Sequence, residues 1–539
     1  MAHQPESVSR SLARIGRKMP EIVVSPGTLE DCDFLIDTQV DAIAVGVGAP
    51  VPGDDELQPR AGTVHASARY RIDLAELAER AHFSGAAGAT HVIDLPRVHA
   101  GSSVDLPWRG LPLRIILVGV GQSTHDDITK AGASLGRVTR GLDRVVTTVA
   151  ATGDPAHAHA LAHGYWLAAP QRWSLAAKEG RRPADQLVLL TPPAQVEQVE
   201  ELLIHAEISA WSTWLSRDLS TVPANYKTPQ WLADTMRRLA KEQRDITVTV
   251  RDATWLAKNG WGGVLAVGGG SISAPLLVEV TYRPAGAHGV PVVLVGKGVT
   301  FDTGGISIKR PRESMIPMKT DMMGAASAFA AVLGASRRKV NTPITALLPL
   351  AENHFGANSY RPGDVVTLVD GTQVDVKNTD AEGRLILADA LAYATKHLSP
   401  SLIIDVATLT GAAALSLGRA HGALYGNTPD LVTQLRSAGE RSGEKLWPMP
   451  LVSDYNSALE SDVADVVNLA PSSVGAGSVT AALFLQRFVG ETPWAHLDIA
   501  GPSLSDKDKG PSVKGPTGYG ARLLVDFLVH YDKRDSGNL

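Results

Sequence analysis

The chain has 539 residues, with 51 Lys and Arg against 56 Asp and Glu and a hydrophobic content of 44%, a length that admits about two to four domains with ample apolar material for their cores. A formal net charge of −5 leaves no electrostatic footprint for a polyanion, so nucleic acid is not an expected partner. The single cysteine, Cys32, excludes an intramolecular disulfide framework and any multi-cysteine zinc or iron–sulfur centre, so a metal would have to be held by His, Asp, Glu or a less usual ligand.

The opening stretch, MAHQPESVSRSLARIGRKMP, has no apolar core of the kind a secretory signal needs. The longest apolar runs, such as IILVGVG at 115–121, fall short of the roughly 18 residues of a membrane span. A cytoplasmic protein without a membrane partner is expected. Over 20–190, short apolar runs (IVV at 22–24, DAIAVGVG at 41–48, LRIILVGVG at 113–121, LVLLTPP at 187–193) alternate with helix-like segments, the pattern of an α/β layer with a largely parallel sheet. We assign 1–195 to an N-terminal α/β domain. Val199, Leu202, Leu203, Ala206, Ile208, Trp211 and Leu215 then recur mostly every three or four residues, which predicts a connecting helix over 196–222. Pro223 and Pro229 break that pattern and open a larger C-terminal domain, 223–539. Here the strand-like runs DITVTV, GGVLAVGGG, PLLVEVTY, VPVVLVGKG, TPITALLPL, VVTLVDGTQVDV, PSLIIDVATLTG and WAHLDIAGP recur between helical segments. They predict a central mixed sheet flanked by helices, with Asp370-Gly371 turning a hairpin. The fold class is therefore α/β, in two α/β domains.

Three segments of the second half place charges where strands or loops should end. In VVLVGKGVTFDTGGISIK at 292–309, Lys297, Asp302 and Lys309 stand among closely spaced glycines, which let a backbone approach a ligand. In MKTDMMGAASAFAAVLG at 318–334, Asp321 falls at or just before the start of an apolar helix, where a carboxylate commonly serves as an N-cap. In VKNTDAEGRLILADALAYATKH at 376–397, Asp380, Glu382 and Arg384 crowd a helix entrance, where acids also favour the helix dipole. Capping is one reading of these acids. The other is a metal centre: four carboxylates without histidine suit hard or borderline divalent ions, and they can hold two ions about 3.5–4 Å apart over a carbonyl or phosphoryl oxygen.

The string NTDAEGRL at 378–385 resembles the signature of the leucyl aminopeptidase (cytosol aminopeptidase) family. The similarity runs through VGKGVTFDTGGISIK, MKTDMMGAAS, YRPGDVV at 360–366, IDVATLTGA at 404–412, GEKLWPMPL at 443–451 and WAHLDIAGP at 494–502. It implies a metal-dependent exopeptidase that removes N-terminal residues from peptides, preferring leucine or other apolar side chains, through a water bridged by two metal ions. By the same resemblance, one ion is held by Lys297, Asp302, Asp321 and Glu382, and the other by Asp302, Asp380 and Glu382. Lys309 stabilises the oxyanion, and Arg384 lies at the reacting centre, with bicarbonate a further candidate ligand. Met318, Thr408 and Gly411 line the pocket for the N-terminal side chain, and the Leu409 carbonyl receives the substrate amine. Manganese or zinc are the expected ions, with magnesium and cobalt as alternatives, and a homohexamer is the expected assembly. One departure stands out: the segment between Lys309 and Asp321 is one residue longer than the family spacing and carries Arg310 and Arg312.

Two other motifs point elsewhere and are read as structural. HAHALAH at 157–163 puts His159 and His163 four apart, but with no HExxH and no nearby acid it is expected to be a solvent-facing helix surface. GVGQST at 119–124 lacks the third glycine of a dinucleotide turn and is expected to be a structural turn.

Overall fold

The computed structural model describes residues 15–16, 19–36, 40–53, 56–95, 112–168, 182–287 and 289–535. The chain divides into two compact units, Met1–Trp211 with Lys507–Val513, and Ser212–Asp506 with Lys514–Leu539.

In the first unit the apolar runs pair into a sheet that is seven-stranded among the described residues. Its strands are β1 (Glu21–Pro26), β2 (Ala42–Gly48), β3 (Gln58–Pro59), β4 (Thr90–Asp94), β5 (Arg114–Gly119), β6 (Arg144–Thr147) and β7 (Gln186–Thr191). The order is β1-β7-β6-β2-β5-β4, with β3 on β2. The path from β1 to β5 is parallel and β4 closes it antiparallel. Every residue of β2 is buried, as expected of a strand covered on both faces. The helices α1 (His125–Val138) and α2 (Pro155–Leu167) approach so closely that a Cβ at Gly132 would lie 2.1 Å from the Leu161 carbonyl oxygen. The segment after β5 turns into α1 through a capping box of Thr124 and Asp127, with Gly121 at a φ of 52° and a Cβ at Gly119 falling 2.1 Å from the Ala86 carbonyl oxygen.

The histidine helix differs from expectation. His163 is buried, its Nε2 is 3.3 Å from Ser209 Oγ, and the rings of His125, His159 and His163 follow one another at 5.8 and 5.7 Å. The reason is composition. Ala158, Ala160, Leu161, Ala162, Tyr165 and Trp166 cover α2 on all sides, so the helix has no polar face to turn outward.

The periodic run after β7 forms α3 (Val196–Thr221), and the division between the units falls inside it. The second unit is built on a sheet that is nine-stranded among the described residues. It contains β8 (Ile246–Arg251), β9 (Leu276–Tyr282), β10 (Val292–Gly296), β11 (Gly298–Asp302), β12 (Ile344–Asn353), β15 (Leu402–Ala407), β16 (Gly422–Gly426), β17 (Leu446–Pro448) and β19 (Trp494–Asp498). The order is β17-β16-β19-β15-β10-β12-β9-β8, with β11 on β12. β12, β10, β15 and β19 run parallel, while β9 and β16 join antiparallel, so the sheet is mixed. A small separate sheet pairs β13 (Val365–Thr367) with β14 (Gln373–Asp375) and β18 (Val466–Val467). The β13–β14 hairpin turns at Asp370-Gly371, with Gly371 at a φ of 96°.

GGVLAVGGG is not a strand. It forms the helix α4 (Gly262–Gly268). Val264 and Val267 are buried three residues apart, and Asp389 Oδ2 accepts the Val264 N–H at 2.9 Å, satisfying a donor that a helix start leaves open. A Cβ at Gly262 would lie 2.0 Å from the Thr367 carbonyl oxygen, so these glycines serve close packing. Two further helices carry the site: α5 (Met323–Arg337) and α6 (Gly383–His397). The strand ends then converge. Lys297 follows β10, Asp302 ends β11, Asn353 ends β12, Thr408 follows β15 and Asp498 ends β19. In α/β sheets this carboxyl edge is where ligands bind.

Candidate metal centre

Lys297 leaves β10 fully enclosed, 2% exposed. Its Nζ lies 3.0 Å from Asp321 Oδ2 and 2.9 Å from Glu382 Oε1, and donates to the Thr408 carbonyl at 2.9 Å. Gly383 makes this path possible, since a Cβ there would come within 2.6 Å of Lys297 Cε. Asp302 is fixed by two donors on Oδ1, the Gly304 N–H and Asn353 Nδ2, both at 2.8 Å. Its Oδ2 is 2.7 Å from Lys309 Nζ, which also lies 2.6 Å from Asp380 Oδ1. The return from Asp302 to Lys309 needs glycine, because Gly304 and Gly305 stand at φ of 89° and 64°, a region costly for a residue with a Cβ.

The capping reading of the acids fails on this geometry. α5 has Met322, not Asp321, at its N-cap, with no side-chain cap. Asp321 Oδ1 instead accepts from Thr408 Oγ1 at 2.7 Å and from Lys297 Nζ at 3.0 Å. Glu382 stands at the N-cap of α6, also without a side-chain cap bond, and its carboxylate is turned to Lys297. Asp302, Asp321 and Glu382 are buried and offer oxygens that lie within 4.8 Å of one another. Asp380 joins them through Lys309.

Crowding so many carboxylates out of water is unfavourable, and it shifts their pKa values. Burial drives the Asp321 carboxyl above its usual range; Lys297 pulls it down, but Glu382 and Asp302 push it further up. Burial likewise raises Asp380 and Glu382, with Asp302 adding to both. Burial works against the ammonium of Lys297, yet Asp321, Glu382 and Asp302 together raise its pKa. Lys309 is raised in the same way, against its burial, chiefly by Asp302, Glu382 and Asp380. The donor set fits divalent cations: three enclosed carboxylates converge, a fourth flanks them, and two ammoniums occupy the ground between.

Arg384, in the first turn of α6, is 4% exposed, and its Nε and Nη1 have no hydrogen-bond partner. Burial lowers its pKa to about 10, opposed by Glu382 and Asp498. Of the remaining residues, Thr408 spends its hydroxyl on Asp321. Leu409 is half-buried, with its N–H on Asp498 Oδ1 at 3.1 Å. Gly411 is exposed, with open space where a Cβ would stand, and Met318 is half-buried in the 3₁₀ segment leading to Asp321. Arg310, just after Lys309, and Arg312, the first residue of that segment, are both exposed. Sequence reasoning missed Asn353 and Asp498, which hold Asp302 and the Leu409 N–H. The available signal was a polar residue at the end of an apolar strand run, as at Asn353 and Asp498.

Residues 214–525 match the model of the cytosol aminopeptidase family's catalytic domain. A probable cytosol aminopeptidase of Geobacter sp. is 38% identical over 463 residues, covering 84% of this chain and 91% of its own. The chain belongs to the cytosol aminopeptidase family. A second relative, the probable cytosol aminopeptidase of Geobacter sulfurreducens, is 41% identical over 77% of this chain and 84% of its own. Among solved structures, a tomato leucine aminopeptidase mutant superposes with a TM-score of 0.79 at 30% identity, covering 95% of this chain and 97% of that one. The bottromycin maturation enzyme BotP in complex with Mn superposes at 0.78 and 32% identity, covering 92% and 100%. This cytosol aminopeptidase is thus a metal-dependent hydrolase of the leucyl aminopeptidase type, acting on peptides. Among the described residues no helix is long and apolar enough to cross a membrane.

Proposed function

We propose that this aminopeptidase removes leucine or another apolar residue from peptide N-termini with two divalent ions in the cluster of Lys297, Asp302, Asp321, Asp380 and Glu382. The observation that carries the reading is the convergence of three buried carboxylates around Lys297 at the carboxyl edge of the sheet. Lys297, Asp302, Asp321 and Glu382 would hold one ion; Asp302, Asp380 and Glu382 the other. When bound, the ions would supply Lewis-acid polarisation of the scissile carbonyl and activation of the attacking water. Manganese or zinc is preferred, magnesium and cobalt being tolerated by the same ligands; manganese in BotP supports this.

The chain's own groups do the rest. Lys309, kept protonated by its carboxylate neighbours, donates to the oxygen on which negative charge develops. Arg384 offers Nε and Nη1, both without a hydrogen-bond partner, to an anion; bicarbonate is the candidate and would supply a general base there. Thr408, Gly411 and Met318 border the pocket for the N-terminal side chain, where the open space over Gly411 leaves room, and the Leu409 carbonyl receives the α-amine. We assign this chemistry to a catalytic domain at 223–539, joined by the helix 196–222 to the 1–195 domain, in a cytoplasmic homohexamer.

The test is metal reconstitution of chelator-stripped protein, assayed on a panel of aminoacyl p-nitroanilides and a phosphate ester. Activity restored by Mn(II) or Zn(II), highest with Leu-p-nitroanilide, is expected. No activity with any metal, or faster turnover of the phosphate ester, refutes the reading.

A further inference from the structure

Asn353 ends β12 with its side chain completely enclosed, 0% exposed. Its Nδ2 has two partners, Asp302 Oδ1 at 2.8 Å and the Thr379 carbonyl oxygen at 3.0 Å. A carboxylate and a carbonyl both accept, so the NH2 end of the amide must face them and the oxygen must point away. That oxygen has no hydrogen-bond partner. It lies against Gly305, where a Cβ would come within 2.9 Å of it. An enclosed acceptor without a donor costs stability, and such a group in a native fold calls for an explanation.

The explanation lies in what the two N–H groups join. One holds Asp302 at the end of β11. The other holds the turn that carries Asp380 and Glu382, whose Thr379 carbonyl also accepts from Tyr360 Oη at 2.8 Å. Thr379 Oγ1 in turn donates to the Gly304 carbonyl at 2.6 Å, so the two segments are laced together on both sides of Asn353. With Oδ1 of Asp302 taken by Asn353 and Gly304, only Oδ2 faces Lys309 and the cluster.

We infer that Asn353 is a positioning residue of the metal centre. One amide N–H selects the Asp302 orientation that turns Oδ2 inward, and the other sets the spacing between Asp302 and the Asp380–Glu382 turn. Outer partners of this kind govern how tightly ligands hold an ion. The inference rests on the reading of Asp302 as a metal ligand.

The experiment measures Mn(II) binding to chelator-stripped protein by calorimetry, with the visible absorption of the Co(II)-loaded protein as a second signal. Asn353→Leu keeps the branching at Cγ and removes both donors, and the smaller Asn353→Ser serves if the leucine variant does not fold. The expected result is about 10–100-fold weaker Mn(II) binding and a changed Co(II) spectrum, with the melting temperature of the metal-free protein kept. Mn(II) affinity within twofold of the parent, or a lowered melting temperature with Mn(II) affinity intact, overturns the inference and leaves Asn353 a packing residue. Asp302→Asn, run in parallel, tests the underlying reading: unchanged Mn(II) binding there removes Asp302 as a ligand.

Discussion

Lys309→Met is the sharpest test of how the two lysines divide their work. The ammonium lies 2.7 Å from Asp302 Oδ2 and 2.6 Å from Asp380 Oδ1. At an effective dielectric near 20, a unit charge pair at 2.7 Å attracts by about 6 kcal/mol before desolvation is subtracted. The lysine therefore competes with a cation for both carboxylates, and its removal should leave Mn(II) affinity unchanged or tighter. Catalysis should move the other way, because a positioned donor to a developing oxyanion is worth about 3–4 kcal/mol, or roughly 100–1000-fold in kcat. The assay is Leu-p-nitroanilide turnover of Mn(II)-reconstituted protein, with bound manganese counted by elemental analysis. Unchanged kcat at full occupancy refutes the oxyanion role. A loss of activity that tracks lost manganese and returns with excess Mn(II) refutes it equally, since Lys309 would then serve metal retention.

Two other perturbations separate further parts of the argument. In the metal-free protein Lys297 is held charged by its carboxylates, and it can ligate only as a neutral amine. Mn(II) uptake should therefore release protons and tighten as pH rises, read by calorimetry in buffers of different ionisation enthalpy. Lys297→Met should lower manganese occupancy and the proton count together, and full occupancy would rule Lys297 out as a ligand. Away from the centre, burial pushes the Asp389 carboxyl up to about 7, against the N–H groups of Val264, Val369 and Gly263. The folded state then holds this proton through a pH range where the unfolded chain has lost it, so stability falls as pH rises from about 4 to 7, by on the order of 4 kcal/mol once the group is ionised. Asp389→Asn should flatten this fall in melting temperature, and parallel profiles for variant and parent would exclude Asp389 as its source.

Much of the second unit was legible because its signals are local. The runs VVLVG at β10, LIIDVA at β15 and WAHLD at β19 are buried along their whole length, and such strands need no alternation to be recognised. The Asp370-Gly371 hairpin is likewise a local matter of turn chemistry. GGVLAVGGG misled for the same reason. An apolar run of that length reads as strand or helix alike, and the helix-start N–H of Val264 meets its acceptor, Asp389, 125 positions away.

By itself the sequence determined the α/β class, the family resemblance and the set of charged residues available for chemistry. Its single cysteine also excluded multi-cysteine metal sites, and the family resemblance pointed to carboxylates and a lysine as the ligands. It left undecided whether Asp321 and Glu382 cap helices or face a common centre, because a carboxylate at a helix start looks the same in either role. Only the tertiary structure decided that. The register of β10, β11, β12 and β15 brings Lys297, Asp302, Asn353 and Thr408 to one edge of the sheet, and the glycine at 383 opens the path from Lys297 to Glu382. Hydrogen bonds between residues 51 and 111 positions apart, Asn353 to Asp302 and Lys297 to Thr408, have no local signature, since nothing in either segment encodes its distant partner until the strands are paired.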